Sequence, residues 1–155
     1  MRAVLTRVRS ASVSIDGQTV GKIGKGFLIL LGVGPEDTEK TCRYLAEKAL
    51  GLRVFEEENG KMNLGLGDVG GEVLVVSQFT LYGNCRKGRR PSFTEAAGPE
   101  LGNQLYEQFL SICEELGYPP QHGRFGADMQ VESVNDGPVT LILDTDQLMD
   151  TARRG

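Results

Sequence analysis

The chain has 155 residues, of which 39% are apolar and 25% are charged, and its formal net charge is −4 at pH 7. This size and composition fit one globular domain and exclude a largely disordered chain. No apolar run approaches the roughly 20 residues that span a membrane, and the N-terminus has no signal-peptide pattern, so we expect a cytoplasmic protein. The acidic balance argues against broad, nonspecific binding of nucleic acid.

The first third of the chain has the pattern of a meander of strands. Residues 2–15 alternate apolar and polar side chains, which predicts a long strand with a bulge near Ser10. Asp16-Gly17 predicts a hairpin turn into a returning strand over 19–23. The continuous apolar run 27–33 predicts a strand that is buried on both faces.

The middle of the chain combines a helix with further strands. Thr38 is a capping residue for a helix that runs to about Leu50, with apolar residues at helical spacing. Short strands are predicted at 53–55 and 61–63, around an acidic turn. The apolar segment 72–82 predicts a core strand.

A second helix is predicted from Pro99, because proline fits the first turn of a helix. Gly117 and the prolines after it end the helix. Its predicted buried face consists of Leu101, Leu105, Phe109, Ile112 and Leu116.

Two strands, 130–134 and 139–143, flank a Gly-Pro step and read as a hairpin. The Gly137-Pro138 bond is either an ordinary turn or a deliberately shaped backbone. We therefore predict one α/β domain over 1–144, in which a largely antiparallel, curved or barrel-like sheet packs against two main helices. Residues 145–155 are predicted to form a polar C-terminal tail.

The cysteines and the single histidine offer little for metal or nucleophilic chemistry. Cys42 and Cys113 lie on apolar helix faces and are predicted to be core thiols. Cys85 stands beside basic residues, but the sequence gives it no base partner. His122 is in a loop rich in proline and glycine and is interpreted as a surface or packing residue. With one histidine and no Cys-x-x-Cys pair, we expect no metal site and no cofactor.

The segment from Ser77 to Gly83 places two hydroxyl groups and an amide where a strand ends. Ser77 and Thr80 could act as nucleophiles, or they could only bond the backbone at the strand end. No partner that would activate either hydroxyl is evident. Backbone N–H groups and the Gln78 amide could instead stabilise an oxyanion, and a substrate with a neighbouring ribose 2′-hydroxyl would bring its own base.

A compact basic block follows directly after this segment. It is either a solvated loop or a loop that contacts phosphates. Because the block lies next to the candidate site, the two interpretations are about equally well supported. The block consists of Arg86, Lys87, Arg89 and Arg90.

Several motifs in the same order resemble those of D-aminoacyl-tRNA deacylases of the bacterial and eukaryotic type, over essentially residues 1–144. The motifs are Arg7-Val8 with Ala11-Ser12-Val13, Gly60–Leu64, Ser77–Leu81, Arg90–Phe93, Gly123–Phe125 with Ala127–Met129, and Asn135–Thr140.

The resemblance implies a homodimeric enzyme that hydrolyses the ester between a D-amino acid and tRNA, and also removes glycine from a wrong tRNA. It implies a cis Gly137-Pro138 motif that enters the partner subunit's pocket and rejects L-amino acids, with Arg7 holding this motif. The implied catalytic residues are Ser77, Gln78, Phe79 and Thr80. The implied substrate-binding residues are Arg7, Phe125, Ala127, Met129, Gly137 and Pro138. The basic block would bind the aminoacylated acceptor end of the tRNA.

Two other functions stay open at this stage. A Ser, Thr or Cys amidohydrolase of a small substrate would use Ser77, Thr80 or Cys85 and needs a base that the sequence does not reveal. A nonenzymatic RNA-binding module would use the basic block and leaves Gly137-Pro138 unexplained.

Overall fold

Eight strands and three helices make up the computed structural model over residues 1–149, the part of the chain that it describes. In chain order they are β1 (Arg2–Ile15), β2 (Gln18–Ile23), β3 (Gly26–Gly32), α1 (Glu39–Leu50), β4 (Phe55–Glu56), β5 (Met62–Leu64), β6 (Glu72–Ser77), α2 (Pro99–Glu115), β7 (Gln121–His122), β8 (Gln130–Asp144) and α3 (Thr145–Leu148). Short 3₁₀ turns lie at Gly67–Val69 and at Phe79–Tyr82, and the latter is called the Phe79 turn below. None of the described helices is long and apolar enough to cross a membrane.

Strand β1 is the centre of the sheet. It pairs antiparallel with β8 along one edge, and along the other edge with β3 through its first half and with β2 through its second half. Strands β6 and β7 extend the sheet beyond β3 by parallel pairing. Because β7 comes to lie beside β2, the curved sheet nearly closes into a barrel. The predicted fold class is therefore confirmed.

The local features of β1 follow from its sequence. Its register with β8 shifts between Val8 and Ser10, so Arg9 is the extra residue of a bulge at the predicted place. The hairpin to β2 turns through Asp16 and Gly17, whose φ angles are 50° and 79°. Asp and Gly tolerate this left-handed backbone better than other residues, which explains the strong turn signal.

The core has two parts, one on each face of the sheet. Helices α1 and α2 cover one face, where Leu5, Ile29, Leu45 and Phe109 are buried together. The second cluster lies on the opposite face and joins side chains of β1, β2, β3 and β6. The predicted burial of Leu116 is wrong, since this residue is 37% exposed. It follows Glu115, the last residue of α2, and no longer faces the sheet.

The predicted strand over 72–82 ends earlier than expected. Strand β6 stops at Ser77, and the chain then enters the Phe79 turn. The Gln78 N–H still reaches the Leu31 carbonyl at 2.7 Å, but β3 itself ends at Gly32 and offers no further partner. A Cβ atom at Gly32 would lie 3.0 Å from the Gln78 carbonyl oxygen, so glycine is what lets the chain fold back here.

The predicted hairpin around Gly137-Pro138 is also wrong. Both halves belong to β8, and both pair with the same partner strand β1. The pairing is interrupted between Asn135, which faces Val8, and Thr140, which faces Thr6. Residues 136–139 form an excursion from the strand, which we call the Gly-Pro loop. After this loop β8 pairs with β1 again, because β1 is long enough to pair with both halves of β8.

The first residues of the predicted C-terminal tail are ordered against the fold. Helix α3 begins at Thr145, which is buried and whose N–H bonds the Met1 carbonyl at 2.9 Å. Residues 150–155 of the predicted tail lie outside the described residues.

Candidate active site

A pocket of about 290 Å³ lies at the end of β6. One wall is formed by Ser77, Gln78 and Phe79, three of the predicted catalytic residues. The other wall comes from the segment between β7 and β8, and it includes the predicted substrate-binding residues Phe125, Ala127 and Met129. The fold thus joins two segments that are about 50 positions apart in the sequence. Four further lining residues received no site role from the sequence, although one of them, Asp128, belongs to a quoted motif; they are Val76, Gly126, Asp128 and Val131.

The Phe79 turn is anchored by Arg2, at the start of β1. The Arg2 guanidinium bonds the Leu81 carbonyl at 3.0 Å and the Asp144 carboxylate at 3.1 Å. It also lies over the ring of Tyr82, 4.4 Å from the ring centroid. These contacts tie the turn to the first and last strands of the sheet. No sequence signal indicated these contacts, because Arg2 lies about 80 positions before the turn and more than 140 before Asp144 and belongs to no motif.

The Phe79 turn leaves two backbone donors available. Within it, the Leu81 N–H bonds the Gln78 carbonyl, so the N–H groups of Phe79 and Thr80 precede the first bonded position and have no acceptor within the turn. The side chains of Phe79 and Thr80 are both exposed. Phe79 lines the pocket, and Thr80, the fourth predicted catalytic residue, follows it but does not line it. Donors left without an acceptor beside a pocket are what an oxyanion site requires.

The Thr80 hydroxyl accepts a short hydrogen bond from the Gln78 amide. An amide N–H₂ group donates and cannot take up a proton, so this partner does not activate Thr80 as a nucleophile. His122, the single imidazole, lies in β7 with Nδ1 at 2.7 Å from the Gly123 carbonyl oxygen. It lines a different pocket of about 230 Å³ together with Tyr106 and Glu107.

The far wall of the pocket is held by packing. The Phe125 ring packs against Tyr106, with ring centroids 6.0 Å apart, and it lies over Gly102 of α2. Burial raises the pKa of the Tyr106 hydroxyl well above its usual range, and this neutral hydroxyl donates to the Val75 carbonyl at 3.0 Å. The Met129 sulfur occupies the space that a side chain at Gly123 would need. Both pocket-facing side chains are therefore fixed by close contacts.

The Gly-Pro loop has a defined shape and a buried support. Its Gly137-Pro138 peptide bond is cis. The Asn135 side chain closes the loop, since its oxygen accepts from the Val139 N–H at 2.8 Å and its nitrogen donates to the Thr140 hydroxyl at 2.8 Å.

The buried Arg7 side chain lies beneath this loop. Its Nε donates to the Asp136 carbonyl at 2.8 Å, and its Nη1 donates to the Val54 carbonyl at 2.6 Å. A Cβ atom at Gly137 would lie only 2.7 Å from Arg7 Nη2. Arg7 thus links the loop to the barrel and leaves room there only for glycine.

Within one subunit, none of the residues of the Gly-Pro loop lines the pocket. Arg7, beneath the loop, pairs with Phe27, which in turn pairs with Val73. Gln78 at the pocket is five positions further along this strand direction. At about 3.3 Å per residue, the two levels are roughly 16 Å apart, in addition to the width of the intervening strands. The loop therefore does not line the pocket of its own subunit.

The basic residues lie in a closed loop next to the Phe79 turn. Asn84 and Ser92 exchange two backbone hydrogen bonds of 2.7 and 2.8 Å, so residues 84–92 form a loop with fixed ends, called the basic loop below. None of its four cationic side chains has an ion pair or side-chain hydrogen bond to any residue in 1–149. They are exposed and free to meet an anionic partner; they are Arg86, Lys87, Arg89 and Arg90.

The thiols divide as predicted. Cys42 and Cys113 are buried, and burial raises the pKa of each to about 12, so both stay protonated. Cys85 is exposed in the basic loop, and within the described residues no base contacts it. The described part of the chain also contains no group of three or more His, Cys, Asp or Glu side chains that could hold a metal ion.

Comparison with known proteins gives matches over nearly the whole chain. The family described as D-Tyr-tRNA(Tyr) deacylase matches residues 4–144. A D-aminoacyl-tRNA deacylase of Desulfatibacillum aliphaticivorans is 61% identical over 145 residues, which are 94% of this chain and 99% of that protein. The D-aminoacyl-tRNA deacylase of Thermosipho africanus is 57% identical and covers 94% of this chain and 97% of its own. The solved structure of the c-Myc DNA Unwinding Element Binding Protein has a TM-score of 0.87 at 42% identity, covering 93% of this chain and 98% of that chain.

Proposed function

The chain belongs to the D-Tyr-tRNA(Tyr) deacylase family, and from that membership we propose that it hydrolyses the ester between a D-amino acid and tRNA in the cytoplasm, without a metal or organic cofactor. Glycine attached to a wrong tRNA is a second substrate, since it has no side chain to reject. The observation that carries the proposal is the pocket in which Ser77, Gln78 and Phe79 face Phe125, Ala127 and Met129. This activity is a proofreading step in translation.

In the proposed mechanism, backbone donors stabilise the transition state. The ester carbonyl sits at the Phe79 turn, where the N–H groups of Phe79 and Thr80 receive the developing negative charge. A donor in this role contributes about 3–4 kcal/mol to lowering the barrier. Water attacks the carbonyl carbon, and the neighbouring 2′-hydroxyl of the terminal ribose assists the proton transfer, because the Thr80 hydroxyl has only the Gln78 amide as its partner.

The selection against L-amino acids comes from the Gly-Pro loop of a second subunit. No residue of the loop lines the pocket of its own subunit, which supports a homodimer that brings the loop and the pocket together. In a two-fold dimer, each loop serves the pocket of the other subunit. The backbone carbonyls of Gly137 and Pro138 would then surround the substrate Cα atom and its ammonium group. This leaves space for a hydrogen or a D-side chain and excludes an L-side chain.

The direct test compares D-tyrosyl-tRNA with L-tyrosyl-tRNA under identical conditions. We expect release of free tyrosine from the D-form, whereas the L-form decays no faster than it does without enzyme. Both rates are followed by loss of radiolabelled amino acid from precipitated tRNA. Equal release from both forms would contradict the proposed selection, and release from neither would contradict the proposed activity.

The structure bears differently on the two alternative functions. An amidohydrolase using Ser77, Thr80 or Cys85 needs a base bonded to its nucleophile, and within the described residues none of the three has one; Asp128 lines the pocket with Ser77 but makes no hydrogen bond to it. A nucleic-acid-binding role without turnover is favoured by the unpaired cations of the basic loop and by the 42% identity to the c-Myc DNA Unwinding Element Binding Protein. It predicts binding of uncharged nucleic acid without release of any amino acid, so the same assay separates it from the proposed hydrolysis.

The basic loop is expected to contact the acceptor end of the tRNA. Replacing its four cations by glutamine should raise KM by about tenfold or more, with little change in kcat. The slope of log(kcat/KM) against log salt should fall by up to about 3, since each contact to a single strand contributes about 0.7. Both quantities are measured over a series of salt concentrations.

A variant of equal charge is the control for this measurement. It carries glutamine at four lysines outside the loop: Lys22, Lys40, Lys48 and Lys61. An equal rise in KM in both variants would mean that only the net charge of the protein affects binding. An unchanged KM in the loop variant would mean that the basic loop is only solvated and does not contact the tRNA.

A further inference from the structure

Two phenylalanine rings are exposed to solvent beside the pocket. Phe79, in the Phe79 turn, is 56% exposed, and Phe93, directly after the basic loop, is 37% exposed. Their ring centroids are 5.3 Å apart, and the ring planes meet at 75°. Burial of an aromatic ring is favourable by a few kcal/mol, so a pair of large apolar rings left in water beside a site indicates a surface that contacts something else.

The rings are held in place by the fold. The backbone bridge between Asn84 and Ser92 fixes the end of the basic loop directly before Phe93. The Phe93 ring then lies against Gly83, where an added Cβ atom would be 3.1 Å from the ring. Phe79 is at the start of a turn that Arg2 anchors through the Leu81 carbonyl. The edge-to-face pair is therefore a preformed surface.

The neighbours of the rings identify the chemistry of the partner. On one side Phe79 lines the pocket, and on the other side Phe93 adjoins the basic loop. The loop has four cations within five positions and no acidic residue between Asn84 and Ser92. Aromatic rings next to cations that track a phosphate backbone are the combination that binds unpaired nucleotides, because every base has a flat face that can stack.

We propose that the Phe79–Phe93 pair is a stacking platform for the unpaired nucleobase that precedes the 3′-terminal adenosine of the tRNA; this inference rests on the proposed function. The terminal nucleotide carries the ester and must enter the pocket, where its carbonyl meets the Phe79 turn. The next base along the strand then reaches the exposed faces of the two rings. Its phosphates continue towards the basic loop.

The test distinguishes binding of the terminal adenosine from binding of the nucleotides that precede it. Wild type, Phe93→Leu and Phe93→Tyr are compared on D-aminoacyl-tRNA and on D-aminoacyl-adenosine, which has no preceding base. Leucine keeps apolar bulk at this position but removes the ring, whereas tyrosine keeps the ring. Leu116→Ala is the matched control, because Leu116 is also 37% exposed and lies at the end of α2, outside the pocket.

For Phe93→Leu we expect KM for D-aminoacyl-tRNA to rise roughly tenfold, as loss of one base–aromatic contact predicts. Its kcat, and both constants for D-aminoacyl-adenosine, should stay within about twofold of wild type by the same reasoning. Phe93→Tyr should restore KM. An RNA with 2-aminopurine next to the terminal adenosine should show fluorescence quenching with wild type and a loss of this quenching with Phe93→Leu.

Other outcomes overturn the inference in distinguishable ways. An equal loss on both substrates would make Phe93 a support of the pocket, and no loss on either would assign the rings to another partner, such as a protein. If wild type hydrolyses neither substrate, the proposed function itself fails and the inference falls with it.

Discussion

Replacing the terminal 2′-hydroxyl of D-aminoacyl-tRNA by hydrogen should slow enzymatic hydrolysis by about 10²- to 10⁴-fold, the range that a positioned general base contributes. The reason is that no described side chain is bonded as a base to Ser77 or Thr80: the Asp128 carboxylate lines the pocket but makes no hydrogen bond to either hydroxyl, so the proposed mechanism assigns proton transfer to the substrate ribose. By contrast, Thr80→Ala should reduce the rate less than about tenfold, because it removes one hydrogen bond between Thr80 and Gln78. Single-turnover rates with saturating enzyme measure the chemical step for both changes.

Two controls make this comparison interpretable. The 2′-deoxy ester also hydrolyses more slowly without enzyme, so each rate is divided by its own uncatalysed rate. Thr19→Ala, at an exposed threonine of β2 far from the pocket, reports the effect of removing a threonine as such. A folded but inactive Thr80→Ala that accompanies normal turnover of the 2′-deoxy substrate would instead identify Thr80 as the nucleophile.

Gly137→Ala should abolish most of the preference for D-aminoacyl-tRNA and lower kcat/KM on the order of a hundredfold, as misplacement of a positioning element by about 1 Å does. The Gly137 φ angle is +132°, which residues with a side chain rarely adopt. The added methyl group would also lie 2.7 Å from Arg7 Nη2 and 2.9 Å from Val139 Cγ2. Hydrogen bonds to the Asp136 and Val54 carbonyls hold the Arg7 side chain in place. The added methyl group is therefore accommodated by a shift of the loop rather than of Arg7.

Gly117→Ala provides the matched control for this substitution. Gly117 also has a positive φ, +98°, but a Cβ atom there meets nothing within 4 Å. Both variants lose roughly 1 kcal/mol from the strained backbone itself, and urea unfolding measures this loss. The D-to-L ratio of rates should change only in Gly137→Ala. A wild-type ratio in that variant would remove the Gly-Pro loop from the selection mechanism.

Much of the fold was predictable because its signals are local. The alternating pattern of β1, the Asp16-Gly17 turn, the Thr38 cap and Pro99 in the first turn of α2 each act within a few residues. The prediction errors arose where residues distant in the sequence determine the end or the continuation of a strand. Strand β6 stops at Ser77 because its partner β3 ends, and β8 continues past Gly137-Pro138 because β1 offers a ladder on both sides of the loop.

The sequence motifs of the site were predictable, but the contacts that hold these motifs in place were not. The polar end of a strand points to Ser77–Phe79, whereas Phe125, Ala127 and Met129 are indicated only by the family resemblance, and the structure brings both sets to one pocket. Nothing in the sequence indicated that Arg2 would anchor the Phe79 turn, or that Phe79 and Phe93 would form an exposed pair. Such contacts depend on which strand ends meet, and this is set by the closure of the barrel rather than by any short pattern.

The Gly-Pro loop is an insertion whose two ends are fixed by the same ladder. Four residues of β8, 136–139, face a single residue of β1, Arg7, and the pairing resumes on either side without disturbing the core. Arg7 is buried beneath the loop, and besides the Asp136 carbonyl it has a second acceptor in the Val54 carbonyl. The loop therefore carries none of the strand pairing that builds the barrel. We expect a variant with an altered loop still to form the barrel, so that substrate selection can be lost without loss of the fold.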